Sequence, residues 1–161
     1  MAPTYTIRYS EPHDRDAVLT FLAATGFFRD DEMTIAAEVL DEANAKGPQG
    51  HYQSFVAEEG GQPVGWICIG PTPCTLGTFD IYWMGVTPDR QGKGIGAALL
   101  RHAEALIRER GGRLSIIETS GRPIYESTRG FYLKLGYREV ARIADFYAPG
   151  DAKVMYAKDL T

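Results

Sequence analysis

From residue 86 the chain reads Val86-Thr87-Pro88-Asp89-Arg90-Gln91-Gly92-Lys93-Gly94-Ile95-Gly96-Ala97-Ala98-Leu99, and the seven residues from Gln91 to Ala97 decide the fold. Before them, Thr78 to Val86 reads as a strand. After them, Ile95, Leu99, Ala103 and Leu106 recur at helical spacing on one face until Gly111-Gly112 ends the run. Three glycines therefore alternate with Lys93 and Ile95 where a strand hands over to a helix. Glycine lets backbone N–H groups approach a phosphate, and a helix N-terminus adds its partial positive charge. The plainer reading of the same glycines is a turn that only permits close strand–helix packing. The stretch fails as a P-loop, because Lys93 is followed by Gly94 rather than Ser or Thr. Gly92-x-Gly94-x-x-Ala97 does fit a dinucleotide fingerprint, but that motif belongs after the first strand of a βαβ array.

Here much precedes it. A strand at Thr4–Tyr9 (β1) leads to a helix opened by Pro12 and Asp14 and carrying Val18, Leu19 and Leu22 (α1, to Gly26). A second helix from about Asp31 (α2) has Met33, Ala36, Ala37, Leu40 and Ala43 on one face and stops at Gly47-Pro48. The period then changes to strands at Tyr52–Glu58 (β2), Val64–Ile69 (β3) and Thr78–Val86 (β4), whose short turns predict an antiparallel meander. Beyond the long helix (α3), a strand at Leu114–Thr119 (β5) is the one place where parallel pairing is expected. A helix from about Tyr125 to Leu135 (α4) and two strands, Tyr137–Tyr147 (β6) and Ala152–Leu160 (β7), complete the chain.

At 161 residues the sequence is sized for one domain, with no repeat and no low-complexity tract. Its 44% apolar and 24% charged residues describe a globular protein, and no apolar run is long enough to span a membrane. With 17 Lys and Arg against 21 Asp and Glu, the net charge of −4 supplies no general field for nucleic acid. Residues Met1 to Tyr5 lack the basic and apolar regions of a secretory signal, so the expected location is the cytoplasm. Cys68 and Cys74 stand at neither redox nor zinc spacing and read as free thiols. His13, His51 and His102 never reach metal-ligand spacing, so no metal is expected, and no GxSxG elbow occurs.

Two stretches together carry a resemblance. Gln91-Gly92-Lys93-Gly94-Ile95-Gly96 is similar to the acetyl-CoA motif of the Gcn5-related N-acetyltransferases, the GNAT superfamily. Gly130-Phe131-Tyr132-Leu133-Lys134-Leu135-Gly136-Tyr137 resembles that family's "FYxKLGF" segment. The resemblance covers nearly the whole chain and implies a mixed α/β fold, β1-α1-α2-β2-β3-β4-α3-β5-α4-β6-β7. Its sheet would be largely antiparallel, with parallel β4 and β5 splayed to form the acetyl-CoA cleft. It implies a single N-acetyltransferase domain that moves an acetyl or other small acyl group from acetyl-CoA to a primary amine. No activated nucleophile is identifiable, so the expected course is direct attack in a ternary complex.

By the same resemblance Gln91 to Ala97 hold the pyrophosphate. Met84, Gly85 and Val86 border the pantetheine arm, with an N–H near Met84 facing the oxyanion. Gly85 also fits ordinary packing. Tyr132 falls where the family's general acid stands. A phenol of pKa about 10 donates to a thiolate of about 8.5 only when held within hydrogen-bonding reach. Where the family often has Asn, seven residues earlier, this chain has Tyr125. Thr119, Tyr125, Thr128 and Phe131 are the candidates to line the cofactor channel instead. Three routes stay open for the amine's proton: Asp80, Glu118, or a water relay. Tyr82, on Asp80's side of the strand, is expected to border the acceptor pocket. Acidic residues in Thr25–His51 and Ala144–Asp151 either attract a cationic amine or form a solvated face. The family's habit implies a homodimer, although no residue argues for one. A non-catalytic CoA-binding module and a dinucleotide-dependent oxidoreductase are the alternatives.

Overall fold

The computed structural model describes residues 4–161; Met1, Ala2 and Pro3, on which the expectation of a missing signal partly rests, lie outside them. The strands are β1 (Thr6–Tyr9), β2 (Gln53–Glu59), β3 (Gln62–Pro71), β4 (Thr78–Val86), β5 (Leu114–Ser120), β6 (Arg138–Ala148) and β7 (Asp151–Asp159). The helices are α1 (Arg15–Ala24), α2 (Asp30–Lys46), α3 (Ile95–Glu109) and α4 (Glu126–Lys134). The strand order is β1-β2-β3-β4-β5-β7-β6. β4 pairs parallel with β5, from Thr78 opposite Leu114 to Ile81 opposite Ile117. β1–β2, β2–β3, β5–β7 and β6–β7 pair antiparallel. The expected element order and the one parallel pair are both present.

The chain forms two compact units, one of residues up to Gly70 with Tyr82–Ala105, the other of Pro71–Ile81 with Leu106–Thr161. In the first, α1 and α2 cover one sheet face: Val18, Phe21, Leu22, Ala36 and Leu40 cluster with Val56, Trp66 and Cys68. On the other face Gly65 lies where a Cβ would be 2.9 Å from Leu99 and 3.1 Å from Ile95, so α3 packs directly on the backbone of β3. The His102 ring rests 4.5 Å from that of Phe55, and burial lowers its pKa. In the second unit the core is aromatic. Tyr132 of α4 packs on Tyr137 and Tyr156 at 6.3 and 5.9 Å, and Tyr137 shares a 2.8 Å hydrogen bond with Ser115.

Two local departures from the expected elements have physical causes. The helix predicted to open at Pro12 begins as a 3-10 turn, Pro12–Asp14, because Asp14 turns back to accept from the Glu11 amide at 2.8 Å. On α3 the fully buried residues include Leu100 and Ile107, while Leu106 is only half-buried: the covered stripe is wider than one i, i+4 row. Asp14 is also the buried end of a two-pronged ion pair, taking the Arg8 guanidinium at 2.7 and 2.9 Å. Burial opposes its charge, but the Arg8 hydrogen bonds, the Glu11 amide and the Arg8 charge together hold its pKa below the carboxylate range. A depressed folded pKa stabilises above the unfolded value of about 3.9 and is lost as pH falls through the folded one. Asp14→Asn is therefore expected to cost about 2 kcal/mol at pH 7, the partial exposure of Arg8 softening the loss. Urea unfolding at pH 7 and pH 3 checks this. The variant loses less on acidification than the wild type, and an equal loss would remove Asp14 from the account.

Candidate active site

In the first unit the end of β4 runs through a 3-10 turn, Pro88–Arg90, into the glycine stretch and the start of α3. Gly92 and Gly94 have φ of 75° and 84°, and nothing lies within 4 Å of where a Cβ would sit on either. Backbone conformation, not crowding, calls for glycine here. Ala98 N–H donates to the Gly94 carbonyl at 3.0 Å, so the amides of Ile95, Gly96 and Ala97 precede the helix's own acceptors. Gln91, Gly92, Lys93 and Gly94 are exposed, whereas Ile95 is buried and anchors the first turn. The loop's base is braced: Gln91 Nε2 donates to the Val86 carbonyl at 3.1 Å and Arg90 Nε to Glu59 at 2.6 Å. Hydrogen bonds from Thr4 and Arg90 hold Glu59 below its usual range. A cavity of about 260 Å³ lined by Thr4, Tyr5, Glu59, Arg90, Lys93 and Ile95 flanks the loop. A glycine-rich loop, a helix start and a lysine are the kinds of group from which anion sites are built. Glu59 escaped the sequence reading because its partner lies 31 residues away.

Met84, Gly85 and Val86 are half-buried on β4. A Cβ on Gly85 would stand 2.5 Å from Leu22 Cδ2, so packing against α1 accounts for this glycine. Trp83 sits over Trp66 and Phe28 on the α1–α2 side, at 6.1 and 5.3 Å. Its neighbour Tyr82 packs on Tyr52, which lies against the same cluster, at 5.4 Å. Consecutive residues on one side break strand alternation, the signature of a bulge. Tyr82 also meets His51: Nε2 and the phenol oxygen are 3.0 Å apart.

The other candidates lie in the second unit. Asp80, opposite Ile116, accepts from Thr72 Oγ1 at 2.7 Å. Glu118, two residues along β5, is paired with Lys153 at 2.9 Å, and that ammonium also sits 4.4 Å over the Phe146 ring. Each predicted base thus already has a partner. Tyr132 is buried, and burial, with Tyr125 and Tyr156 adding to it, raises its phenol above the ordinary value. Thr119 is buried opposite Val154; Tyr125 is buried under the Arg122 guanidinium, 5.5 Å from its ring. Thr128 and Phe131 are half-buried, Phe131 against Tyr132 at 5.6 Å. Residues not foreseen fix the β5–α4 connection. Arg129 donates to the carbonyls of Ser120 and Arg122 at 2.8 and 2.9 Å, and Ser120 donates to buried Asp151.

Burial pushes the Cys68 thiol up, so it is no nucleophile, and both cysteines are free. Among the described residues no cluster could hold a metal and no helix is long and apolar enough to cross a membrane.

A sequence model of the acetyltransferase (GNAT) domain matches residues 50–139. The chain is similar to a crystal structure of a Desulfovibrio desulfuricans protein assigned to the GNAT acetyltransferases. The two share 38% identity over 98% of this chain and 99% of that one, with a TM-score of 0.92. An aminoglycoside 6'-N-acetyltransferase complexed with coenzyme A matches 97% of each chain at 20% identity and TM-score 0.77. The ribosomal-protein-S18-alanine N-acetyltransferase of Escherichia coli matches 98% of this chain and 94% of its own at 21% identity and TM-score 0.77. At those identities the last two speak for the fold. No curated protein sequence matches the chain.

Proposed function

Because the chain belongs to the GNAT acetyltransferase family, we propose that it transfers an acetyl group from acetyl-CoA to a primary amine by direct attack in a ternary complex. It is an acyltransferase. The observation that carries the finer reading is the pair of left-handed glycines, Gly92 and Gly94, opening α3 directly after β4. A left-handed backbone of this kind lets loop amides converge on a pyrophosphate. The whole chain then works as one acetyltransferase domain, expected in the cytoplasm and as a homodimer.

Acetyl-CoA supplies the activated acyl group; the chain's residues do the rest. Residues Gln91 to Ala97 hold the pyrophosphate, Lys93 adding charge. Met84, Gly85 and Val86 border the pantetheine, and the Met84 amide receives the oxyanion as the amine adds to the carbonyl carbon. Thr119, Tyr125, Thr128 and Phe131 line the arm. Tyr132 gives its proton to the sulfur as the C–S bond breaks. No second nucleophile is needed, so the acetyl group moves once.

The test is titration calorimetry of the purified protein with acetyl-CoA, with desulfo-CoA and NAD as controls. Micromolar binding of acetyl-CoA with no heat from NAD is expected. Binding of NAD in place of acetyl-CoA would sink the reading and turn Gln91–Ala97 back into a dinucleotide turn.

A further inference from the structure

An amine is protonated at neutral pH and must lose a proton before its nitrogen can attack. Both carboxylates in view are occupied, Asp80 by the Thr72 hydroxyl and Glu118 by the Lys153 ammonium. The first unit holds a hydrogen-bonded pair of titratable side chains that involves neither of them. His51 Nε2 and the Tyr82 hydroxyl are 3.0 Å apart. The imidazole is exposed, so it can exchange a proton with water directly. The Tyr52 ring meets both partners nearly edge-on, at 5.0 and 5.4 Å, and fixes their planes.

The contact is built around an absent side chain. A Cβ at Gly70 would lie 2.8 Å from Tyr82 Cε2 and 2.9 Å from His51 Nε2, so glycine at the end of β3 is what lets the two rings meet. Gly70 has no left-handed φ that would explain it otherwise. Tyr82 also stands two residues before Met84, whose amide is read as the oxyanion donor. Around the pair, β2's approach contributes Tyr52 and β3 contributes Gly70. Burial pushes the Tyr52 phenol up, and the charge of Glu42 on α2 adds to that.

We propose that Tyr82 and His51 are catalytic residues that take the proton from the acceptor's ammonium group, Tyr82 touching the substrate and His51 receiving the proton. This rests on the amine-acetylation reading. With the imidazole neutral and its proton on Nδ1, Nε2 accepts from the Tyr82 hydroxyl. The ammonium N–H bond breaks toward the Tyr82 oxygen as the phenolic proton passes to Nε2. The bonding pair stays on nitrogen and becomes the attacking lone pair. The imidazolium then hands its proton to water, and nothing is oxidised or reduced.

The test uses the full chain with acetyl-CoA and three probe amines, benzylamine, spermidine and trialanine, reading the acetylated amine by mass spectrometry. H51A is expected to slow acetylation of any probe the wild type accepts by about 100-fold, and added imidazole to restore about tenfold. Y82F is expected to fall similarly, and the double variant to be no slower than the slower single one, since the two act on one proton. Acetyl-CoA affinity by calorimetry stays within threefold in each. An H51A rate above half of wild type overturns the proposal. So does a loss that imidazole leaves untouched while the double variant is additive, or a tenfold loss of acetyl-CoA affinity. A wild type that binds acetyl-CoA but acetylates none of the probes overturns the amine reading and this proposal together, whereas an active wild type with an active H51A overturns this one alone.

Discussion

Tyr132→Phe is expected to lower kcat by about 1,000-fold while the KM for acetyl-CoA stays within about threefold. The split follows from when the phenol acts. In the proposed general-acid role the hydroxyl meets charge on sulfur only as the C–S bond opens, so removing it would destabilise the transition state and leave ground-state binding intact. The ring packing on Tyr137 and Tyr156 survives the substitution, so the fold should too. Burial raises the phenol above its ordinary value, with Tyr125 and Tyr156 adding to it. A group that acts when protonated and whose pKa is raised stays competent further into alkali, so any alkaline arm from Tyr132 lies above about pH 10. Steady-state kinetics at pH 7 to 10 check both points. A loss below fivefold, or an equal rise in KM, would reduce Tyr132 to a core aromatic.

The second large effect belongs to the loop. Gly94→Glu is expected to weaken acetyl-CoA binding by about three decades, whereas Gly94→Ala weakens it by less than about fivefold. The comparison separates two costs. Any side chain at φ 84° is strained, by about 1–2 kcal/mol, but the strain is present with and without ligand and so lowers stability rather than affinity. With the pyrophosphate in the proposed site, a carboxylate in the open space over Gly94 would meet it as well, and two like charges about 4 Å apart repel by about 4 kcal/mol at an effective dielectric of 20. Calorimetry on both variants, with thermal melts alongside, resolves the terms. Equal losses for alanine and glutamate would mean that the glycine serves the turn and that no phosphate binds there.

What the sequence revealed and what it hid divide along a physical line. Gly92 and Gly94 were legible because a left-handed backbone leaves a mark in residue type. The limits of β4 were legible because apolar strand formers end abruptly at Thr87-Pro88. Gly85 reads as a sign of ligand approach or of packing, and only the fold sets Leu22 against it. The partners of Asp80, Glu118 and Tyr82 are 8, 35 and 31 residues away, and no local pattern encodes which side chain a fold will bring opposite. The end of β6 was hidden for a different reason. Ile143 pairs with Lys153 and Ala148 with Asp151, so Ala144 to Tyr147 bulge from the ladder, with Asp145 at φ 55° and capping the Gly150 amide at 2.8 Å. The run Ile143-Ala144-Asp145-Phe146-Tyr147 reads as unbroken strand.

The contact between Gly85 and Leu22 also limits how this sequence can diverge. Leu22 is fully buried, so a methyl group gained at position 85 makes the end of the Leu22 side chain shift, and a smaller residue at position 22 relieves that clash. The two positions are coupled, and relatives with a larger residue at position 85 should tend to carry a smaller one at position 22. Someone redesigning the protein for a new acceptor inherits the same coupling: a change on the strand that carries Met84 is best paired with a trimmed residue on the helix.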